Sequence, residues 1–106
     1  MRTVSAAAAL LFAAPAMAQS MDIRIDSFTA DRGRSEVIVR VTNNTGADAR
    51  SIFVDCTFMD TDKRAIDIGR ALIPVLAAGD HAFEKAAISR TDGVDYVECD
   101  LVYRPA

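Results

Sequence analysis

The feature that most constrains this chain is a period-two alternation of apolar and polar residues, broken at short intervals by turn-forming clusters. Met21, Ile23 and Ile25 alternate with Asp22, Arg24 and Asp26, and Val37, Val39 and Val41 repeat the pattern against Glu36, Arg40 and Thr42. Successive side chains of a strand point to opposite faces, so this pattern buries one face and wets the other. Asp31-Arg32-Gly33-Arg34 lies between the two segments as a turn, with Gly33 free to take a positive φ, and Asn43-Asn44-Thr45-Gly46 makes the next turn. Ile52, Val54, Cys56 and Phe58 then alternate with Phe53, Asp55, Thr57 and Met59. Apolar groups on both faces predict a central strand covered in part on two sides.

Asp60-Thr61-Asp62-Lys63 turns the chain into a weaker strand from Ala65 to Ile73, through Ile66 and Ile68, which Pro74 interrupts. The last strand is expected from Tyr96 to Tyr103, after the turn signal Asp92-Gly93, with Val97, Cys99, Leu101 and Tyr103 on one face. Residues 80–88 read two ways. His81 to Ala87 have good helix propensity and Asp80 suits an N-cap, whereas the recurrence of turns every 8–15 residues or so favours a strand. The expected fold is therefore all-β, an antiparallel sandwich of six or seven strands. A helix near 80–88 would instead give an α+β domain.

The first eighteen residues obey different rules. Arg2 precedes an apolar run from Val4 to Ala14, Pro15 ends it, and Ala16-Met17-Ala18 has the small-x-small form of a cleavage site. The run falls short of the roughly 20 residues that span a bilayer. It reads as a secretory signal peptide, cut after Ala18, leaving residues 19–106 as a single domain in the periplasm or medium with no membrane span. A domain of that size has a marginal core, and an oxidising compartment offers it a staple. Cys56 and Cys99 are the only two cysteines and are expected to be disulfide-bonded. Both lie on the apolar faces of their strands. A bridge needs Cα atoms within about 7 Å, so the third and last strands must be neighbours or face each other.

Six or seven short strands with a bridge between a middle and a late strand resemble an immunoglobulin-like sandwich. Asn43-Asn44-Thr45-Gly46, Val54-Asp55-Cys56-Thr57-Phe58-Met59-Asp60 and Leu76-Ala77-Ala78-Gly79-Asp80 resemble, more particularly, the small secreted bacterial FxLYD-type domains. Met59 stands where that family carries Tyr. The resemblance covers most of residues 21–103, and it implies a β-sandwich and no catalytic residues.

Composition narrows the chemistry. With 12 Lys+Arg against 15 Asp+Glu the net charge is −3, and no basic run is present to meet phosphates, so no nucleic-acid partner is expected. His81 is the single histidine, no serine sits in a nucleophile elbow, and one His with two distant Cys makes no zinc set. The acidic turn at Asp60 and Asp62, with Asp67, lacks the offsets of a calcium loop. No cofactor or metal is expected. Asn43-Asn44-Thr45 fits the N-glycosylation sequon, though asparagines are ordinary turn residues.

What remains is surface. The alternation puts Arg24, Arg40, Phe53, Met59, Tyr96 and Val102 on outward faces, with Phe53 and Met59 on one strand and Tyr96 and Val102 on another. If those strands adjoin, the four apolar residues form an exposed patch, or another element of the chain covers them. The leading expectation is a non-enzymatic binding or accessory module for a protein or envelope component. Its alternatives are a small hydrolase or metal-dependent enzyme using His81 with Asp80 or Glu84, and a structural component of an envelope assembly.

Overall fold

The structure, a computed structural model, describes residues 20–103. The expected signal peptide over residues 1–18 lies outside the described residues. Six strands form: β1 (Met21–Asp31), β2 (Arg34–Asn43), β3 (Ala49–Met59), β4 (Ala65–Leu76), β5 (His81–Ile88) and β6 (Tyr96–Val102). They make two antiparallel three-stranded sheets, β1-β2-β5 and β4-β3-β6, packed as a β-sandwich. Each sheet has its most apolar strand at its centre. Val37, Val39 and Val41 of β2 face Ile52, Val54, Cys56 and Phe58 of β3, all without solvent exposure. Phe28 of β1 reaches across to the Phe58 ring, with centroids 6.2 Å apart.

The segment with helix propensity is a strand. β5 pairs with β2 from Thr42↔His81 to Ser35↔Ile88 and buries Ala86 and Ile88 in the core. Sheet pairing outweighs the weak local preference. Cys56 and Cys99 are bonded and sit directly opposite each other on β3 and β6, with Cα atoms 4.0 Å apart. The two cysteine-bearing strands are thus neighbours in one sheet. An intramolecular disulfide of this kind points to an oxidising, extracytoplasmic environment.

β4 departs from expectation in two places. It does not stop at Pro74 but runs on to Leu76, because β4 is an edge strand and a proline there costs no ladder bond on its open side. Opposite Pro74, Ser51 of β3 takes φ +55°, and the in–out alternation of both strands changes phase there with the register unshifted, so that Ala49 and Ile52, and Ile73 and Leu76, are all buried. Secondly, a bulge between Phe58 and Met59 places Ile66 against the core and leaves Ile68 59% exposed, so these two isoleucines do not share a face.

The two open sides of the sandwich differ. β4 packs closely on β5, and Gly69 makes this approach feasible: a Cβ there would stand 2.8 Å from the Ala87 carbonyl oxygen. β1 approaches β6 only slightly. One end is tied by Asn43, which is fully buried. Its Nδ2 donates to the carbonyls of Ala47 and Leu76 at 2.8 and 2.9 Å, and its Oδ1 accepts from the backbone N–H and hydroxyl of Thr45. In the folded chain the side-chain nitrogen of the sequon asparagine is thus buried and doubly engaged.

Candidate functional site: the outer face of the β4-β3-β6 sheet

β3 lies between β4 and β6, so its outward residues meet outward residues from both neighbours. Phe53 stands opposite Leu72 on β4 and Val102 on β6; Asp55 stands opposite Arg70 and Asp100; Thr57 stands opposite Ile68 and Glu98. Leu72 is 44% and Val102 40% exposed, and Phe53 is half-buried between them. Phe53 and Val102, with Ser51 and Arg70, line a shallow depression of about 360 Å³, and Leu72 flanks Phe53 on the same face.

Arg70 organises this face. Its guanidinium lies 4.9 Å from the Phe53 ring centre while Nε and one terminal nitrogen donate to the two Asp55 carboxylate oxygens at 2.6 and 2.9 Å. The fork-on-fork geometry suits a planar guanidinium. The hydrogen bond from Arg70 holds the Asp55 carboxyl below its ordinary value, and the Asp55 carboxylate in turn raises the Arg70 guanidinium. The aromatic ring, the cation and the carboxylate are therefore locked together beside an apolar hollow.

The four apolar residues expected as a surface are brought onto one sheet but not into one patch. Phe53 pairs with Val102 and Met59 pairs with Tyr96, with the Asp55 and Thr57 rows between the two pairs. Met59 is a correction to the outward-face expectation, since only 6% of it is exposed. The bulge beside it shifts its register against β4, and Asp95 donates its N–H to the Met59 carbonyl. Tyr96 stays exposed under the ammonium of Lys63, 5.3 Å from the ring centre. Arg24 and Arg40 are exposed as expected.

Leu72 was not anticipated, and neither was Phe83. Leu72 hides in the near-continuous apolar run from Ala71 to Ile73, where only the alternation of Ala71 and Ile73 into the core reveals that it points outward. Phe83 lies on the outer face of the other sheet, 51% exposed, between the Arg40 guanidinium and the His81 ring. His81 itself opens β5, exposed, and donates its backbone N–H to the Asp80 carboxylate at 2.8 Å. Glu84 sits opposite the buried Val39, hence on the other face of β5 from His81. Of the two acids named in the hydrolase alternative, Asp80 adjoins His81 and accepts its backbone N–H, whereas Glu84 lies on the opposite face of β5. Among the described residues no group of three or more His, Cys, Asp or Glu is placed to hold a metal ion.

No protein-family model and no curated protein matches this chain. Two solved structures of a GH20 exo-β-N-acetylglucosaminidase from Vibrio harveyi, one an inactive mutant and one in complex with N-acetylglucosamine, are similar to it at 19% and 20% identity, each with a TM-score of 0.36. The similarity covers 77% of this chain and spans 15% of the length of the glycosidase.

Proposed function

We propose that this chain is a non-enzymatic, extracytoplasmic binding or accessory module that offers the Phe53–Leu72–Val102 face to a protein or envelope component. The observation that carries the reading is the pre-set hollow on that face, where an aromatic ring is held by an arginine already committed to a carboxylate. Aromatic rings and arginine are enriched at interface centres, and grouped exposed apolar side chains mark docking surfaces. A rigid face also loses little side-chain entropy on binding. The leader expected over residues 1–18 and the FxLYD-type likeness agree with a small secreted module.

The test is affinity capture from an oxidised cell-envelope extract, comparing the unaltered chain with Leu72→Asp and Val102→Asp. Both positions are exposed, so thermal midpoints are expected to stay within a few degrees. A component retained by the unaltered chain and lost with both variants supports the reading. Retention that ignores both substitutions, or no retained component, overturns it.

A further inference from the structure

A sandwich of two three-stranded sheets has four strand edges, and here they are unequal. β4 and β5 close one side, with Gly69 against the Ala87 backbone and Ala71, Ile73, Ala86 and Ile88 buried beneath. On the other side, among the described residues, β1 and β6 each pair with one strand only. The inward residues there remain incompletely covered: Ile25 is 44% exposed, and Ile23, Val97, Cys99 and Leu101 are half-buried.

The register shows which backbone groups of β6 are free. In an antiparallel pair the closely spaced residue pairs are those that exchange no hydrogen bonds, with Cα atoms about 4.5 Å apart against 5.5 Å for bonded pairs. Cys56 and Cys99, at 4.0 Å, are such a pair. By alternation so are Phe58 with Val97 and Val54 with Leu101. The N–H and C=O groups of Val97, Cys99 and Leu101 therefore point away from β3, along the open side. Between them Glu98 and Asp100 carry exposed carboxylates on the outward face, and neither has a hydrogen bond or ion pair among the described residues. Arg70, in the same cross-strand row, is spent on Asp55, directly opposite Asp100.

We infer that the free edge of β6 takes up an extended polypeptide segment of a partner, with lysine or arginine alternating with apolar residues, as an added strand. Backbone bonds to Val97, Cys99 and Leu101 hold such a segment. Its apolar side chains enter the gap toward Ile23 and Ile25, and its cations stand across from Glu98 and Asp100, where opposite charges attract. The same two carboxylates select against a second copy of β6, which would set acid against acid. The inference rests on the reading of this chain as a binding module but not on the Phe53 face.

The test is fluorescence anisotropy of the full chain with a labelled seven-residue peptide of alternating lysine and valine, matched to the seven residues of β6. The expected result is binding that weakens about tenfold or more in Glu98→Lys/Asp100→Lys, with gain of affinity for the glutamate-valine counterpart. Thermal unfolding and an intact Cys56–Cys99 bridge by mass check that this variant is folded. N-methylation of one alternate set of peptide amides should abolish binding and of the other set spare it: the valine set for antiparallel addition, the lysine set for parallel. Methylation that affects both sets or neither overturns the inference. So does unaltered binding by the charge-reversed variant, absence of binding, or binding seen only after removal of residues 1–19 or 104–106, which would make a terminal segment the occupant. Leu72→Asp should leave peptide affinity unchanged, so failure of the Phe53 face and failure of the edge are read separately.

Discussion

Asn43 is the residue whose replacement the structure prices most directly. It ends β2, yet it is fully buried and its side chain makes four hydrogen bonds, two given and two accepted. Its backbone N–H donates to the Asp80 carbonyl and its own carbonyl accepts from Gly79, so one residue joins β2, the 44–48 turn, β4 and the 77–80 turn. In Asn43→Ala the buried Leu76 carbonyl loses its donor, at about 1–3 kcal/mol, while groups nearer the surface regain water and cost roughly 0.5 kcal/mol each. The total is about 3 kcal/mol, a large part of the 5–15 kcal/mol typical of a domain, and at this size lowers the melting midpoint by roughly 12–24 °C. Asn43→Asp keeps an acceptor for Thr45 but sets an oxygen against two carbonyls. The introduced carboxylate is pushed toward its protonated form, which can still donate one bond. Its folded value lies above its unfolded one, so the variant's deficit relative to the unaltered chain should be smallest in acid and grow as pH rises from the unfolded value through the folded one. Urea unfolding at several pH values measures both effects. A loss below about 1 kcal/mol for Asn43→Ala at unchanged m, or a pH-independent loss for Asn43→Asp, refutes the argument.

Three further outcomes follow from the geometry. The cysteines are 43 positions apart, and replacing both by alanine should cost about 4 kcal/mol by loop-closure entropy, read as a lower urea midpoint; a loss under about 1 kcal/mol counts against that account. Gly69→Ala puts a methyl group 2.8 Å from the Ala87 oxygen and 3.0 Å from its nitrogen, so a loss of roughly 1–3 kcal/mol is expected in thermal unfolding, and a neutral result denies the close approach. Asp55 has a folded value held below 3.8 by Arg70, so its contribution is present above the unfolded value and is lost as pH falls through the folded one. Urea midpoints of Arg70→Gln should therefore fall less steeply on acidification than those of the unaltered chain, and parallel acid limbs would contradict this.

Strand positions were legible wherever one face is polar. The β2 valines and the β3 row of Ile52, Val54, Cys56 and Phe58 announce both the strands and the faces they bury. The bridge was legible too, since two cysteines on apolar faces in an oxidising compartment leave one pairing. β5 was ambiguous because alanine and glutamate suit a helix, and only its pairing with β2 decides the matter. Bulges were invisible. An inserted residue changes no composition, yet the one beside Met59 shifts that residue's register against β4, and a change of in–out phase at Ser51 and Pro74 leaves Leu76 buried. The apolar face was half-seen. Phe53 and Val102 stand out against polar neighbours, whereas Leu72 sits in a run whose period is hidden.

The placement of the bridge bears on the open side. β6 has seven residues, one neighbouring strand and a half-buried inner face, so burial alone holds it weakly. An edge strand so placed would fray unless something else fixed it. The bridge from Cys99 to the fully buried Cys56 fixes it at its midpoint without using any backbone group of the outer edge. On β4 and β5 the opposite solution is found: no covalent tie, a glycine that lets the backbones close, and buried inward side chains. A covering strand on the β6 side would have made the staple far less necessary. The staple holds β6 in register and leaves its edge exposed, and this combination is what separates the open side of this sandwich from the sealed one.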